Sequence, residues 1–278
     1  MVTGPHESVS EQLDLFSGAG GAPEPELEID AMDWAPLDPA RLSDTELIAV
    51  LPRARQIEAP GLAREAARRG LAEAVPALEA LCRRFSGFGR DREVTEQTAA
   101  LSGLEALGGG SAKDAVTRLI VSGAVRGPGM RIALETAARL GCRVKPDLIA
   151  AFLRDDDPAV REAACRCARG GPAEIAALID LLADLHTGVA HAAALALGRL
   201  GQIEGRAVLL GILRTAPSEE VVRALAGIAE DDDWVRLGQT AMRVRDLAGV
   251  VLELLNESEN ARAAAVAEGI RRRLGAGG

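Results

Sequence analysis

The sequence predicts an all-α fold, an α-α superhelix of about seven helix pairs preceded by a disordered acidic tail. The composition is the first observation: the chain is 48% hydrophobic, yet it contains no Tyr, two Trp and four Phe. A core with so few aromatic side chains must be built from Ala and Leu at helix-to-helix distances. The second observation is a unit at residues 155–171 that combines an acidic turn, a Pro at the first helical position, an amphipathic helix and a Gly stop. Versions of this unit recur along the chain, which is typical of helical-repeat proteins.

Residues 1–40 differ from the rest of the chain in charge. They hold nine acidic residues and no Lys or Arg, which leaves 32 acids and 32 bases in residues 41–278. The net charge of −9 therefore belongs to this segment, which is also rich in Gly, Pro and Ser and lacks sustained helical periodicity. Such a composition predicts disorder. We therefore divide the chain into a disordered acidic tail with a linear motif (1–40) and a repeat solenoid (41–278).

The first helix is expected after Ser43, because Ser43 and Glu46 have the Ser-x-x-Glu form of a capping box, in which each side chain satisfies a free backbone amide of the other residue. Helices then alternate with short turns to the end of the chain. An additional helix is predicted near 233–242, outside the regular pairing. The predicted pairs are 44–54 with 60–69, 73–84 with 92–107, 112–122 with 130–140, 146–154 with 158–168, 172–183 with 188–200, 204–214 with 218–229, and 245–255 with 259–274.

The repeat becomes visible when the beginnings of the second helices are aligned. Arg131, Arg161, His191 and Arg223 then share one position, at intervals of 30, 30 and 32 residues. First helices carry wide apolar stripes, and second helices carry smaller residues. Neither kind can form a core alone, so neighbouring pairs must stack on one another.

These repeats resemble HEAT repeats, especially the short HEAT-like repeats also found in phycobilisome lyases. The resemblance covers roughly residues 43–274 and is strongest at 145–230, although nothing in the sequence supports a lyase role. It implies a non-enzymatic scaffold that binds protein partners. It also implies a ladder of hydrogen bonds between a turn Asp and the following Arg, which would make Asp157 and Arg161 structural, with Arg131 and Arg223 in the same role. His191 interrupts the expected series.

A short peptide in the tail resembles the Gln-Leu-x-Leu-Phe motif by which bacterial proteins dock on the DNA polymerase sliding clamp. Two adjacent apolar side chains can fill one pocket, while the preceding Leu and the Gln amide fix the register. A disordered tail suits this role because only a few residues must be ordered on binding. The alternative is that these residues cap or inhibit the protein's own solenoid, within a generic adaptor. The peptide consists of Gln12, Leu13, Asp14, Leu15 and Phe16.

The same stretch continues as Asp14-Leu-Phe-Ser-Gly-Ala-Gly-Gly, which resembles the glycine-rich first motif of DNA cytosine-C5 methyltransferases. That motif needs a preceding strand and a following βαβ unit. Polar residues precede it here, an acidic segment follows, and the chain has no Pro-Cys dipeptide for the nucleophile of that family. We therefore reject the enzyme interpretation.

A second candidate site is the long connection between the helices of the second predicted pair. Its arginines could neutralise phosphates and its phenylalanines could stack on bases, so it is a candidate loop for nucleic acid or for a protein partner. Its phenylalanines could equally cover a helix end. Because the body is electrically neutral, a nucleic-acid-binding or DNA-repair solenoid is the less favoured alternative. The loop residues are Arg83, Arg84, Phe85, Phe88, Arg90 and Arg92.

No spacing in the chain predicts a catalytic constellation, a metal site or a cofactor. Cys165 and Cys167 are two apart on a predicted helix and point to different faces, while His186 and His191 lack the four-residue spacing of a zinc pair. No apolar stretch reaches the length of a membrane helix, and the N-terminus lacks the pattern of a signal peptide. We expect a cytoplasmic monomer without a membrane partner.

Overall fold

The computed structural model describes residues 37–275, and in this part of the chain every regular element is helical. The helices are α1 (Asp44–Val50), α2 (Ala59–Arg68), α3 (Val75–Arg84), α4 (Thr95–Leu107), α5 (Gly109–Val121), α6 (Pro128–Leu140), α7 (Pro146–Phe152), α8 (Pro158–Cys167), α9 (Pro172–Leu181), α10 (Thr187–Arg199), α11 (Arg206–Thr215), α12 (Glu219–Ala226), α13 (Asp231–Arg243), α14 (Ala248–Glu257) and α15 (Ala261–Gly275). The predicted all-α class and the predicted helix pairs are confirmed.

Local sequence signals set the helix beginnings. The Ser43 amide donates to Glu46 Oε2 at 2.8 Å, and the Glu46 amide donates to Ser43 Oγ at 3.3 Å, so the predicted capping box is present at the start of α1. Four consecutive helices, α6 to α9, begin with Pro. Pro is favoured there because its fixed φ suits the helix and its missing N–H would lack an intrahelical partner anyway.

The helices stack in an alternating order. Among the second helices of the pairs, α2 packs against α4, α4 against α6, α6 against α8, α8 against α10 and α10 against α12. First helices also meet, as in the contacts of α3 with α5 and of α7 with α9. This packing of each helix against the next but one is what a solenoid of helix pairs requires.

The additional helix α13 belongs to this stack, although the sequence placed it outside the pairing. It packs against α14 and, more extensively, against α15, while α12 packs against α14. The alternation therefore continues through α13 to the end of the described chain. The sequence could not give this register because α13 begins only eight residues after Arg223, which is too early for another full pair.

The buried core consists of two clusters that meet at α10. One contains apolar residues between positions 47 and 197, and the other contains those between 194 and 270. Gly198 lies at this junction, where a Cβ atom would stand 2.7 Å from the carbonyl oxygen of Ala224 and 2.9 Å from Leu209 Cδ1. Only glycine lets α10 and α12 approach this closely.

Candidate interaction surfaces

The tail peptide, residues 12–16, lies outside the described residues, as does the rest of 1–36. Of the segment 1–40, the structure describes residues 37–40. There Arg69 donates to the carbonyl oxygens of Pro39 and Ala40 at 3.1 and 3.3 Å, and to that of Leu42 at 2.8 Å. These bonds fix the start of the described chain on the end of α2. The candidate surfaces below all belong to the solenoid.

The first two arginines of the candidate loop are held by the protein. Arg83 lies in the last turn of α3 and pairs with Glu79 at 2.9 Å, and its Nη1 also donates to the hydroxyl of Ser122 at 3.2 Å. Arg84 donates to the carbonyl oxygens of Pro52 and Ala54 at 3.1 and 2.7 Å. Both side chains therefore satisfy groups on neighbouring elements, a role that their position in the sequence did not reveal.

The rest of the loop presents a more open surface. Phe85 is half-buried, with the Arg84 guanidinium 4.6 Å from its ring centroid, and Phe88 packs edge-on against it at 6.3 Å. Phe88 is 62% exposed, and Arg90 and Arg92 are also exposed. Phe85 thus packs at the C-terminal end of α3, whereas Phe88 faces solvent, and its contact with a partner stays a prediction.

A buried amide that the sequence analysis did not single out fixes the loop from below. Gln97 is 1% exposed, and its Nε2 lies 3.2 Å from the carbonyl oxygens of Cys82 and Phe85 and 3.0 Å from that of Ala124. One carbonyl group from the last turn of α3, one from the residue after that helix and one from the connection between α5 and α6 meet on this one side chain. Because α4 contains several other polar residues, no local signal in the sequence singled out Gln97.

The expected Arg ladder is present at Arg161, but with a different partner. Arg161 Nε and Nη2 donate to Asp184 at 2.9 and 3.1 Å, which links α8 to the turn before α10. Its Nη1 donates to the carbonyl oxygens of Asp155 and Asp156. Asp157 instead caps α8 by accepting from the Ala159 amide at 2.8 Å. Both residues are therefore structural, and the side-chain bond of Arg161 runs between repeats, to Asp184 and not to Asp157.

Two further members of the Arg series also cross between repeats. Arg131 on α6 pairs with Glu93, just before α4, at 2.8 Å. Arg223 on α12 pairs with Glu253 on α14 at 3.3 Å. The direction differs, because Arg131 reaches back along the chain and Arg223 reaches forward. The series contributes to stacking, as the resemblance implied, but it is not a uniform ladder.

A groove of about 630 Å³ lies between α11 and α13 and was not predicted. Leu210 and Leu213 line it from α11. Three exposed arginines surround these apolar residues: Arg214 from α11, and Arg236 and Arg243 from α13. Positions 236, 239, 240 and 243 share one face of α13, which is why residues so spaced meet in the groove.

A fully buried carboxylate supports one wall of this groove. Asp233 is 0% exposed and accepts from Arg206 Nε at 2.6 Å, from Arg236 Nη1 at 2.7 Å and from the Glu230 amide at 3.1 Å. Burial by itself raises the pKa of Asp233, but the hydrogen bonds from Arg206, the Glu230 amide and Arg236 outweigh it and lower the pKa below its ordinary value. The ionised Asp233 thus joins α11 to α13 and holds Arg236 in place.

The cysteines are core residues. Cys82 and Cys165 are completely buried, and burial raises the pKa of each thiol to about 12. A thiol with so high a pKa is neutral at physiological pH and a poor nucleophile.

In residues 37–275, no helix combines the length and the apolarity needed to cross a membrane.

Stacked helix pairs, alternating contacts and arginine links between repeats define the described part of the chain as an α-solenoid. A family model described as HEAT repeats matches residues 145–229, which run from α7 through α12. No curated protein gives a significant match. Among solved structures, an engineered protein from a structural genomics consortium is similar at 18% identity, over 85% of this chain and 98% of that chain, with a TM-score of 0.33. HEAT repeats are generally non-enzymatic scaffolds for protein interaction.

Proposed function

We propose that this protein is a non-enzymatic scaffold that binds protein partners on its solenoid and is tethered by its tail to a bacterial DNA polymerase sliding clamp. The observation that carries the scaffold proposal is the stack of helix pairs, whose segment 145–229 matches HEAT repeats. A stacked repeat array presents an extended surface and has no need of a catalytic pocket. In this proposal the solenoid binds the protein partner, and the tail attaches the scaffold to the clamp.

The tether rests on the sequence of residues 12–16. Leu15 and Phe16 are adjacent apolar residues in a strongly acidic segment without Lys or Arg, and Gln12 and Leu13 precede them at the spacing of the clamp-binding peptide. A short extended peptide of this kind binds through a few side chains in pockets, so its affinity depends on two or three residues.

The test is binding of the full chain to purified, immobilised sliding clamp. The Leu15→Ala, Phe16→Ala double variant should lose binding. A matched Leu27→Ala, Ile29→Ala variant, which changes two apolar residues of the tail outside the peptide, should keep it. A synthetic peptide of residues 11–17 should compete with the full chain. Failure of the peptide to bind at concentrations of about 50 μM, which corresponds to roughly 6 kcal/mol of binding free energy, would contradict the tether.

Binding of nucleic acid by the loop at residues 83–92 is the second candidate. The exposed Phe88, Arg90 and Arg92 favour it, whereas the internal bonds of Arg83 and Arg84 leave fewer free cations than the sequence suggested. An electrophoretic shift of single-stranded DNA that disappears in an Arg90→Ala, Arg92→Ala variant would support this function. No shift at low salt would leave the protein-scaffold proposal as the better one.

A further inference from the structure

Within residues 37–275, the groove between α11 and α13 has a positive charge that acidic side chains only partly neutralise. The described residues that line it include three arginines and no acid. Arg236 shares the buried Asp233 with Arg206, and Arg243 donates to the carbonyl oxygens of Leu213 and Arg214 instead of to a carboxylate. Within the described residues, the side chain of Arg214 has no partner. The groove therefore retains a net positive charge on a solenoid that is neutral as a whole.

The groove is large enough to hold side chains of a bound segment. A volume of about 630 Å³ lies within the usual range for ligand pockets, roughly 300–1,000 Å³. Leu210 is half-buried and Leu213 is 2% exposed, so an apolar side chain entering the groove would contact carbon on the α11 wall. Gln239 and Thr240 add polar groups on the α13 wall.

We propose that this groove binds an acidic peptide segment of a protein partner, with carboxylates on Arg214, Arg236 and Arg243 and an apolar side chain against Leu210. The proposal rests on the scaffold function and gives the chemistry of the partner. Guanidinium groups bind carboxylates through paired hydrogen bonds, and Arg236 and Arg243 are already oriented by their own internal bonds. Because little side-chain freedom remains to be lost at these two residues, binding there costs less entropy.

A peptide suits the groove better than nucleic acid does. None of the described residues that line it is aromatic, so bases would lack the stacking surface that single-stranded nucleic acid usually uses. Phosphates could contact the arginines, but the apolar wall at Leu210 and Leu213 would then face a charged backbone. An acidic peptide with an apolar residue uses both parts of the groove.

The experiment measures the fluorescence anisotropy of a labelled twelve-residue peptide, in which pairs of Glu residues alternate with pairs of Leu residues, as the full chain is added. Binding should be detectable below about 100 μM and should weaken as salt rises, because the charges are exposed. Arg214→Glu should weaken it at least about tenfold, and Gln239→Glu, which adds a carboxylate on the opposite wall, should also weaken it. Arg53→Glu, the same charge change at an exposed site on another element, should leave the affinity within about twofold.

The controls separate this proposal from its alternatives. Within residues 37–275 the side chain of Arg214 has no partner, so the Arg214→Glu variant should keep the wild-type circular dichroism spectrum and melting temperature. A peptide with Gln in place of Glu should not bind. Wild-type affinity in both groove variants, or no binding of the acidic peptide, would overturn the proposal. So would binding of a 20-nucleotide single strand that depends on Arg214 in the absence of peptide binding. Clamp binding by the same variants reports on the tether independently.

Discussion

Replacement of Asp233 by Asn tests how α11 and α13 are joined. The side chain keeps its size but loses its negative charge, in a position that is 0% exposed. The wild-type carboxylate accepts two bonds from Arg206, at 2.6 and 3.1 Å, and one from Arg236 at 2.7 Å. It also accepts from the Glu230 amide at 3.1 Å and so completes the capping box of α13. The substitution therefore weakens four hydrogen bonds at once.

The size of the effect follows from the exposure of the partners. Removing one member of a buried ion pair commonly costs about 3–5 kcal/mol, because the other charge is left without compensation. Here Arg236 is exposed and Arg206 is half-buried, and Arg206 also contacts Glu230 at 2.8 Å, so both cations keep some solvation. We therefore expect the free energy of unfolding to fall by about 2–4 kcal/mol, somewhat less than for a pair in which both partners are buried.

Urea denaturation followed by the fluorescence of Trp234 measures this loss. Trp234 follows Asp233 directly, is 5% exposed and belongs to the buried apolar cluster between positions 194 and 270. A Trp34→Phe background makes it the single Trp of the chain. The matched control is Glu230→Gln, which also removes a negative charge beside Arg206 but from a side chain that is 60% exposed. An exposed pair of this kind contributes less than about 1 kcal/mol. Equal losses in the two variants, or a loss below about 1 kcal/mol for Asp233→Asn, would refute the argument from burial.

Three other predictions follow from the packing and the ion pairs. In thermal melts, Gly198→Ala should destabilise the protein by about 1–3 kcal/mol, because the new methyl group would press on the backbone of α12. Gly211→Ala has open space around the new methyl group and should stabilise α11 by about 0.5–1 kcal/mol in the same experiment. A double-mutant cycle with Arg161→Gln and Asp184→Asn should give a coupling free energy of about 1–3 kcal/mol, and additive losses would show that the bidentate pair does not stabilise the stack. The guanidinium groups of Arg68 and Arg69 lower the pKa of Glu65 from 4.5 to about 2, so the stabilising effect of its carboxylate is complete above pH 4.5 and is lost as the pH falls toward 2. The melting temperature should therefore decline less across that pH range in Glu65→Gln than in the wild type, and parallel declines would contradict this assignment.

The sites divide into those that local sequence could reveal and those that it could not. The sequence places four arginines and two phenylalanines together in the connection at residues 83–92. It could not reveal that the Arg84 guanidinium donates hydrogen bonds to the carbonyl oxygens of Pro52 and Ala54, 30 or more positions away in the chain. The groove between α11 and α13 was invisible for the same reason, since its walls are separated by a whole helix, α12.

The sequence by itself determined where several helices begin, because a capping box such as that of Ser43 and Glu46, or a Pro at a first helical position, acts within one turn of the chain. It also determined that the helices must stack, since their apolar stripes cannot be buried within a single pair. Only the tertiary structure decided that Arg161 reaches Asp184 instead of Asp157, that α13 continues the stack, and that Asp233 is buried between two arginines. Those outcomes depend on how each helix pair packs against the next, because that packing decides which acidic side chain an arginine reaches, whatever their separation along the chain.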